Sequence, residues 1–102
     1  MKRYVTTSRL GLFQWYLTSE EREESTIEKY LREVRLFRSW LAERGVTAET
    51  VTGWKRYLYA EGYKPETINS KLSALNKFFS FMGWPELRTR YLKIQRKLFR
   101  GT

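Results

Sequence analysis

The sequence has no cysteine and no histidine among its 102 residues. Without cysteine it can form neither disulfides nor thiolate metal sites, which fits a reducing compartment. Without histidine it lacks the most frequent general base, a common zinc ligand and the Ser-His-Asp arrangement of hydrolases. We therefore predict that this chain is not itself an enzyme and that it holds no catalytic, metal or cofactor site.

Other features are scarce as well. The six glycines are scattered and form no phosphate-binding loop, and all eleven acidic residues are glutamates. No apolar run is long enough to cross a bilayer, and no signal-type apolar stretch follows the basic N-terminus. These features predict a cytoplasmic protein that does not span a membrane.

Positive charge is plentiful and concentrated in one region. The formal net charge is +9, from 20 basic and 11 acidic residues. Residues 1–61 carry 11 basic and 9 acidic side chains, whereas residues 62–102 carry 9 basic and 2 acidic ones. Evenly mixed charge would serve solubility equally well. The concentration therefore predicts a polyanionic partner, either nucleic acid or an anionic membrane surface.

The first half of the chain predicts two helices. The first runs from about residue 9 to residue 18, and its cap comes from one of three neighbouring hydroxyl residues. These are Thr6, Thr7 and Ser8. The second begins at a capping box formed by Ser25 and Glu28, continues with apolar residues at three- and four-residue steps, and ends at Gly45. Residues 19–24 between them predict an acidic, solvated loop.

The second half predicts two more helices. The third follows Thr50 or Thr52 and stops at Gly62. The fourth has Pro65 at its first position, where a missing N–H costs little, and it ends at Gly83. No stretch shows a sustained two-residue alternation of apolar and polar residues. The chain is therefore predicted to be an all-α domain of four helices joined by short turns.

The fourth predicted helix has an outer face of small neutral side chains and no acid after Glu66. Such a face allows close approach to a phosphate backbone, and Asn can pair with the major-groove edge of adenine. An ordinary polar surface is the alternative, although Glu and Lys would normally dominate it. The residues of this face are Asn69, Ser70, Ser73, Asn76, Lys77 and Ser80. The hypothesis requires Asn69, Ser73 and Lys77 to face outward, unscreened by carboxylates.

Two further segments predict anion contacts. At the start of the second helix, Ser25, Thr26 and Lys29 combine the positive end of the helix dipole with a cation, although Ser25 could simply be a cap. From residue 88 to residue 100 there are six basic residues and no acid, interleaved with apolar ones. Lys93, Arg96 and Lys97 are the candidate contacts there. This segment could be a last amphipathic helix or a strap that crosses a phosphate backbone. A membrane-surface helix is disfavoured because the apolar face is short, so no membrane partner is expected.

Residues 8–83 resemble the core-binding domain of tyrosine recombinases, the phage integrase family. Each motif is degenerate alone, but their order and spacing together are fairly specific. The matching residues are Thr26-x3-Tyr30-Leu31, Val34, Phe37, Trp40-Leu41 and Gly45, then Tyr57-Leu58 and Gly62, then Pro65-x-Thr67-Ile68-Asn69-x2-Leu72-Ser73-Ala74-Leu75-x2-Phe78-Phe79.

The resemblance implies an orthogonal SAM-like bundle of four helices that closes over one side of duplex DNA. It implies that the second and fourth helices face the major groove. The contacts carried over by position are Ser25, Thr26, Lys29, Asn69, Ser70, Lys71 and Ser73, whereas Asn76 and Lys77 follow from the helix geometry above. The domain is expected to be a monomer alone and an oligomer with sister recombinase subunits on DNA.

The resemblance also implies a domain organisation. The family cleaves and rejoins DNA through a phosphotyrosine intermediate without a metal or nucleotide cofactor, and its catalytic half follows the core-binding domain. We therefore expect residues 1–84 to be the DNA-binding domain and residues 85–102 to be a basic connector toward a catalytic domain absent from this chain. The chain is then one part of a recombinase or a lone domain.

Two alternatives to DNA binding stay open. SAM-like bundles also serve as protein-interaction adaptors, and Leu36 and Trp40 lie off the main apolar stripe of the second helix. In a recombinase, the same two residues would pack against the first helix or a neighbouring subunit. RNA binding would call for exposed aromatic platforms, whereas the aromatics here fit a core. The asymmetry of charge favours DNA, because an adaptor has no need of it.

Overall fold

The computed structural model describes residues 2–20 and 22–94. Within these ranges there is no strand, so the all-α prediction is confirmed. The elements are α1 (Thr7–Ser19), α2 (Glu24–Leu41), α3 (Ala48–Ala60), α4 (Pro65–Met82) and a short 3-10 helix (Pro85–Leu87). None of the helices in the described part of the chain has the length and apolar character needed to cross a membrane.

The core forms around α4, which packs against α2, α3 and the 3-10 helix. The predicted stripe of α4 is confirmed for Ile68, Leu72, Leu75 and Phe79, which are fully buried. Aromatic rings join the helices: Phe79 meets Phe37 of α2 edge-on at 6.2 Å between ring centroids. Burying each such side chain contributes about 1.5–3 kcal/mol, so these contacts fix how the helices are arranged.

A second aromatic cluster joins α2 to α3. The Trp40 ring lies 6.2 Å from that of Phe37, 5.5 Å from that of Trp54 and 6.1 Å from that of Tyr57. Trp40 of α2 therefore packs against α3, and its burial requires no neighbouring subunit. Leu36 is exposed, so the alternative that it packs against the first helix is wrong.

The ends of α3 and α4 follow local chemistry. Thr47 and Thr50 form a reciprocal capping box at the start of α3, so the cap lies slightly before the predicted Thr50 or Thr52 start. Pro65 opens α4 as predicted. Gly62 and Gly83 have φ of 90° and 76°, left-handed values that glycine adopts without strain, and both turns were predicted.

Both predicted ends of α2 are wrong. The helix begins at Glu24 with Glu23 as N-cap and no side-chain cap bond, so the Ser25–Glu28 capping box does not form. It ends at Leu41, because the backbone of Ala42 turns to a φ of 58°. The Arg44 guanidinium donates to the Leu41 and Trp40 carbonyls at 3.0 and 2.9 Å. Gly45 serves a close approach instead: a Cβ there would lie 3.2 Å from the backbone oxygen of Arg3.

Beyond the 3-10 helix the chain is extended. Trp84 and Leu87 are buried and anchor this region to the core. Residues 88–94, which we call the strap, contain no helix, so the amphipathic-helix alternative is wrong for them. The remaining predicted contacts of the basic segment, Arg96 and Lys97, lie outside the described residues.

Candidate nucleic-acid interface

The start of α2 lies beside the outer face of α4. The Lys29 ammonium donates a hydrogen bond to the Ser70 hydroxyl, and the two helices pack closely below this contact. Tyr30, one residue further along α2, shares a surface depression with Ser73 and Lys77 of α4. The structure thus brings together residues that the sequence analysis selected separately on two helices.

The strap forms the other wall of this depression. Its lining consists of Tyr30, Ser73, Asn76, Lys77, Ser80, Arg88 and Tyr91. Arg88 and Tyr91 are exposed and were not among the predicted contacts. The only sequence signal for them was their place in the basic segment, because their position beside α4 depends on the extended path of the strap. The depression therefore combines hydroxyl groups with two cations, Lys77 and Arg88.

Both asparagines of the chain bond to the strap. The Asn76 amide donates to the Thr89 carbonyl, and its oxygen accepts from the Thr89 N–H, each at 2.9 Å. Asn69 makes the same pair of bonds with Leu92, at 2.9 and 2.7 Å. An extended backbone beside a helix needs partners for its N–H and C=O groups, and a carboxamide supplies both. The prediction that Asn69 and Asn76 present free amides on the outer face of α4 is therefore wrong.

Lys71 is also misplaced by the prediction. Its side chain is buried, and its Nζ donates to Glu33 Oε1 at 3.0 Å. The ammonium also lies 5.0 Å from the centroid of the Tyr63 ring. A buried ammonium is stable only with such partners, so this lysine links α4 to α2 and does not reach the surface. The available signal was Glu33, an acid within the apolar stripe of α2.

Lys77 reaches the surface but is partly screened. It is half-buried, with Nζ 3.3 Å from Glu20 Oε1 and 5.3 Å from the centroid of the Tyr16 ring. A hydrogen bond from Tyr16, and then those from Arg22 and Lys77, hold the pKa of the Glu20 carboxyl below its ordinary value. The carboxylate is therefore charged at neutral pH. The expectation that no acid from elsewhere approaches this face is wrong at Lys77.

The other predicted contacts have mixed surroundings. Ser70 and Ser73 are partly exposed, as are Thr26 on α2 and, more fully, Lys93 on the strap. Ser25 is exposed in the first turn of α2, next to the carboxylates of Glu23 and Glu24, which oppose anion binding there. In the part of the chain that the structure describes, no three acidic side chains are grouped so as to hold a metal ion.

Residues 10–85 match the family model described as phage integrase, N-terminal SAM-like domain. The chain belongs to this family. The match spans most of α1 and all of the other three helices, so the prediction of a SAM-like bundle is confirmed. Comparison of the SAM-like domain with curated proteins and with solved structures gives no significant match. The strap follows the matched residues, so the family match does not cover its contacts with α4.

Proposed function

We propose that this SAM-like domain binds duplex DNA as the core-binding part of a tyrosine recombinase. The observation that carries the proposal is the placement of Lys29 of α2, Ser73 and Lys77 of α4, and Arg88 of the strap around one face. Small hydroxyl side chains permit close approach and donate to phosphate oxygens. Lys29 and Arg88, with Lys77 partly screened by Glu20, supply attraction that does not depend on sequence.

The charge of the neighbouring strap supports the same face. Arg88, Arg90 and Lys93 are all exposed on it. Glu86, the nearest acid in the chain, forms an ion pair with Arg3 at the opposite end of the sequence. A phosphate approaching the strap therefore meets cations without a neighbouring free carboxylate of the same segment.

The proposed contacts differ from those that the sequence alone suggested. Asn69, Lys71 and Asn76 are assigned to internal bonds, and Arg88 and Tyr91 are added. Ser25 is the weakest of the retained contacts, because Glu23 and Glu24 adjoin it. The retained contacts are Ser25, Thr26, Lys29, Ser70, Ser73, Lys77 and Lys93, with Arg96 and Lys97 beyond the described residues.

Titration into random duplex DNA at several salt concentrations tests this proposal. With about five phosphates engaged, the logarithm of the association constant should fall against the logarithm of salt concentration with a slope near −4.5. Lys29→Glu should weaken binding about tenfold on every sequence, because it replaces attraction by repulsion at the interface.

Arg35→Glu is the matched control. It makes the same change of charge on the same helix at an exposed position, but away from the stripe that meets α4. We expect it to change affinity less than threefold, as an order of magnitude for a remote charge at about 0.1 M salt. A flat salt response, or equal losses from the two variants, would contradict this interface and favour the adaptor alternative.

A further inference from the structure

The asparagine contacts with the strap have a matched geometry. Asn69 and Asn76 are seven residues apart, which is about two turns of helix and roughly 10.5 Å along α4. Their partners Leu92 and Thr89 are three residues apart, and an extended chain covers roughly 10 Å in three residues. The strap therefore runs antiparallel to α4, and each carboxamide binds both backbone groups of one strap residue.

A third contact comes from α3. The Lys55 ammonium donates to the carbonyl oxygen of Arg90 at 2.6 Å. The Leu92 side chain lines a groove on α3 together with Thr52, Tyr59 and Ala60 among others. The backbone of residues 89, 90 and 92 is thus held from two helices.

Two of the strap residues left out of these bonds face the proposed interface. Arg88 and Tyr91 line the depression that also contains Ser73, Lys77 and Ser80. They are three residues apart. The same interval separates Thr89 and Leu92, whose backbone groups are bound by Asn76 and Asn69. The register that the asparagines select therefore decides which strap side chains enter the depression. A shift by one residue would replace Arg88 and Tyr91 with their neighbours.

We propose that Asn69 and Asn76 are positioning residues that hold Arg88 and Tyr91 beside Ser73 and Lys77 to form a site for one backbone phosphate of DNA. The guanidinium offers paired donors to phosphate oxygens, and the tyrosine and serine hydroxyls add neutral ones. This inference rests on the proposed function. The asparagines themselves contribute no charge and use their amides on the strap.

Hydrogen exchange of the strap amides tests, without DNA, whether Asn69 and Asn76 hold the strap against α4. The N–H groups of Thr89 and Leu92 should be protected in the unmodified chain, and N69A/N76A should make them exchange at least about tenfold faster. N69D, which keeps the oxygen that accepts from Leu92, should lie between. Circular dichroism of both variants should show that the helices persist. Unprotected amides in the unmodified chain, or unchanged exchange in the variant, would overturn the proposal.

The salt dependence of DNA binding tests the positioning role. Arg88→Ala should reduce the magnitude of the salt slope by about one unit, as expected for one lost phosphate contact. N69A/N76A should do the same and weaken binding about fivefold, although it removes no charge. A purely structural role for the asparagines would lower the folded fraction and leave the slope unchanged, which would overturn the proposal.

A double-mutant cycle completes the test. In an R88A/Y91F background, N69A/N76A should have a much smaller further effect on affinity, because the side chains that it positions in the depression are already altered. Additive losses would show that the asparagines act by another route and would overturn the inference. If R88A/Y91F has no effect while Lys29→Glu weakens binding, the phosphate site is wrong but the proposed function stands. If the unmodified chain does not bind DNA, both fail.

Discussion

Two sets of polar residues on α4 have opposite surroundings although they alternate along about two turns of the helix. In the internal set, Asn69, Lys71 and Asn76, the polar groups bond within the protein, either to the strap or to Glu33. In the open set, Ser73 and Lys77, the side chains face a depression that is open to solvent. Each set contains a lysine together with at least one small neutral polar side chain, so the general polarity of a helix face does not separate internal bonds from surface contacts. The neighbouring elements do so.

Substitutions in the internal set should lower the stability of the fold. Lys71→Met removes the partner of the buried Glu33 carboxylate, and leaving such a charge unpaired costs about 3 kcal/mol. We therefore expect Lys71→Met to lower the free energy of unfolding by about that amount in urea denaturation. Lys77→Met, the same substitution in the open set, should cost less than about 1 kcal/mol.

A double variant separates charge from packing in this pair. Replacing both partners, Glu33→Leu with Lys71→Met, removes the unpaired charge and should restore most of the stability. If Lys71→Met alone is as stable as the unmodified chain, the pair is not buried in solution. The division of α4 into two sets would then break down at Lys71.

Substitutions in the open set should lower the affinity for DNA. Lys77→Glu places a second carboxylate beside Glu20 and reverses the charge that faces the depression, so we expect DNA affinity to fall about tenfold on every sequence. Fluorescence anisotropy with duplexes of different sequence measures this. Thermal unfolding should change little, because the side chain is near solvent. A loss confined to one sequence would indicate base reading by Lys77 and contradict its phosphate role.

The two sets also separate the features that follow from the sequence from those that do not. Apolar periodicity predicted four helices and the buried stripe of α4, because hydrophobic burial follows directly from residue spacing. Local chemistry predicted Gly62, Pro65 and Gly83 at helix ends. It failed at the start of α2, where Glu23 and Glu24 precede the hydroxyls that looked like a cap.

The site was harder to predict because it depends on contacts between distant parts of the chain. Asn69 and Asn76 are seven residues apart, which suggested one outward face. The strap that covers that face comes from residues 88–94, and its extended path has no periodic signal. Glu20 reaches Lys77 from a loop 57 positions earlier, which no pattern on the helix could indicate. Lys71 was misassigned because its partner lies on another helix.

The smallest effect should come from the acid that borders the open set. Glu20→Gln removes the carboxylate beside Lys77, so DNA affinity should rise about two- to threefold at about 0.1 M salt. Since hydrogen bonds from Tyr16, Arg22 and Lys77 lower the pKa of Glu20 below its ordinary value of 4.5, this gain should be constant between pH 6 and 8.

The same lowered pKa fixes the sign of the effect on stability. The ionised carboxylate stabilises the folded chain above pH 4.5, and this contribution is lost as the pH falls through the lowered folded-state pKa. The stability difference between the unmodified chain and E20Q should therefore be constant near neutrality and shrink only in acid. A gain in affinity that varied between pH 6 and 8 would mean that Glu20 titrates there. Its bonds to Tyr16 and Lys77 would then not hold it ionised, and the screening of Lys77 would need another source.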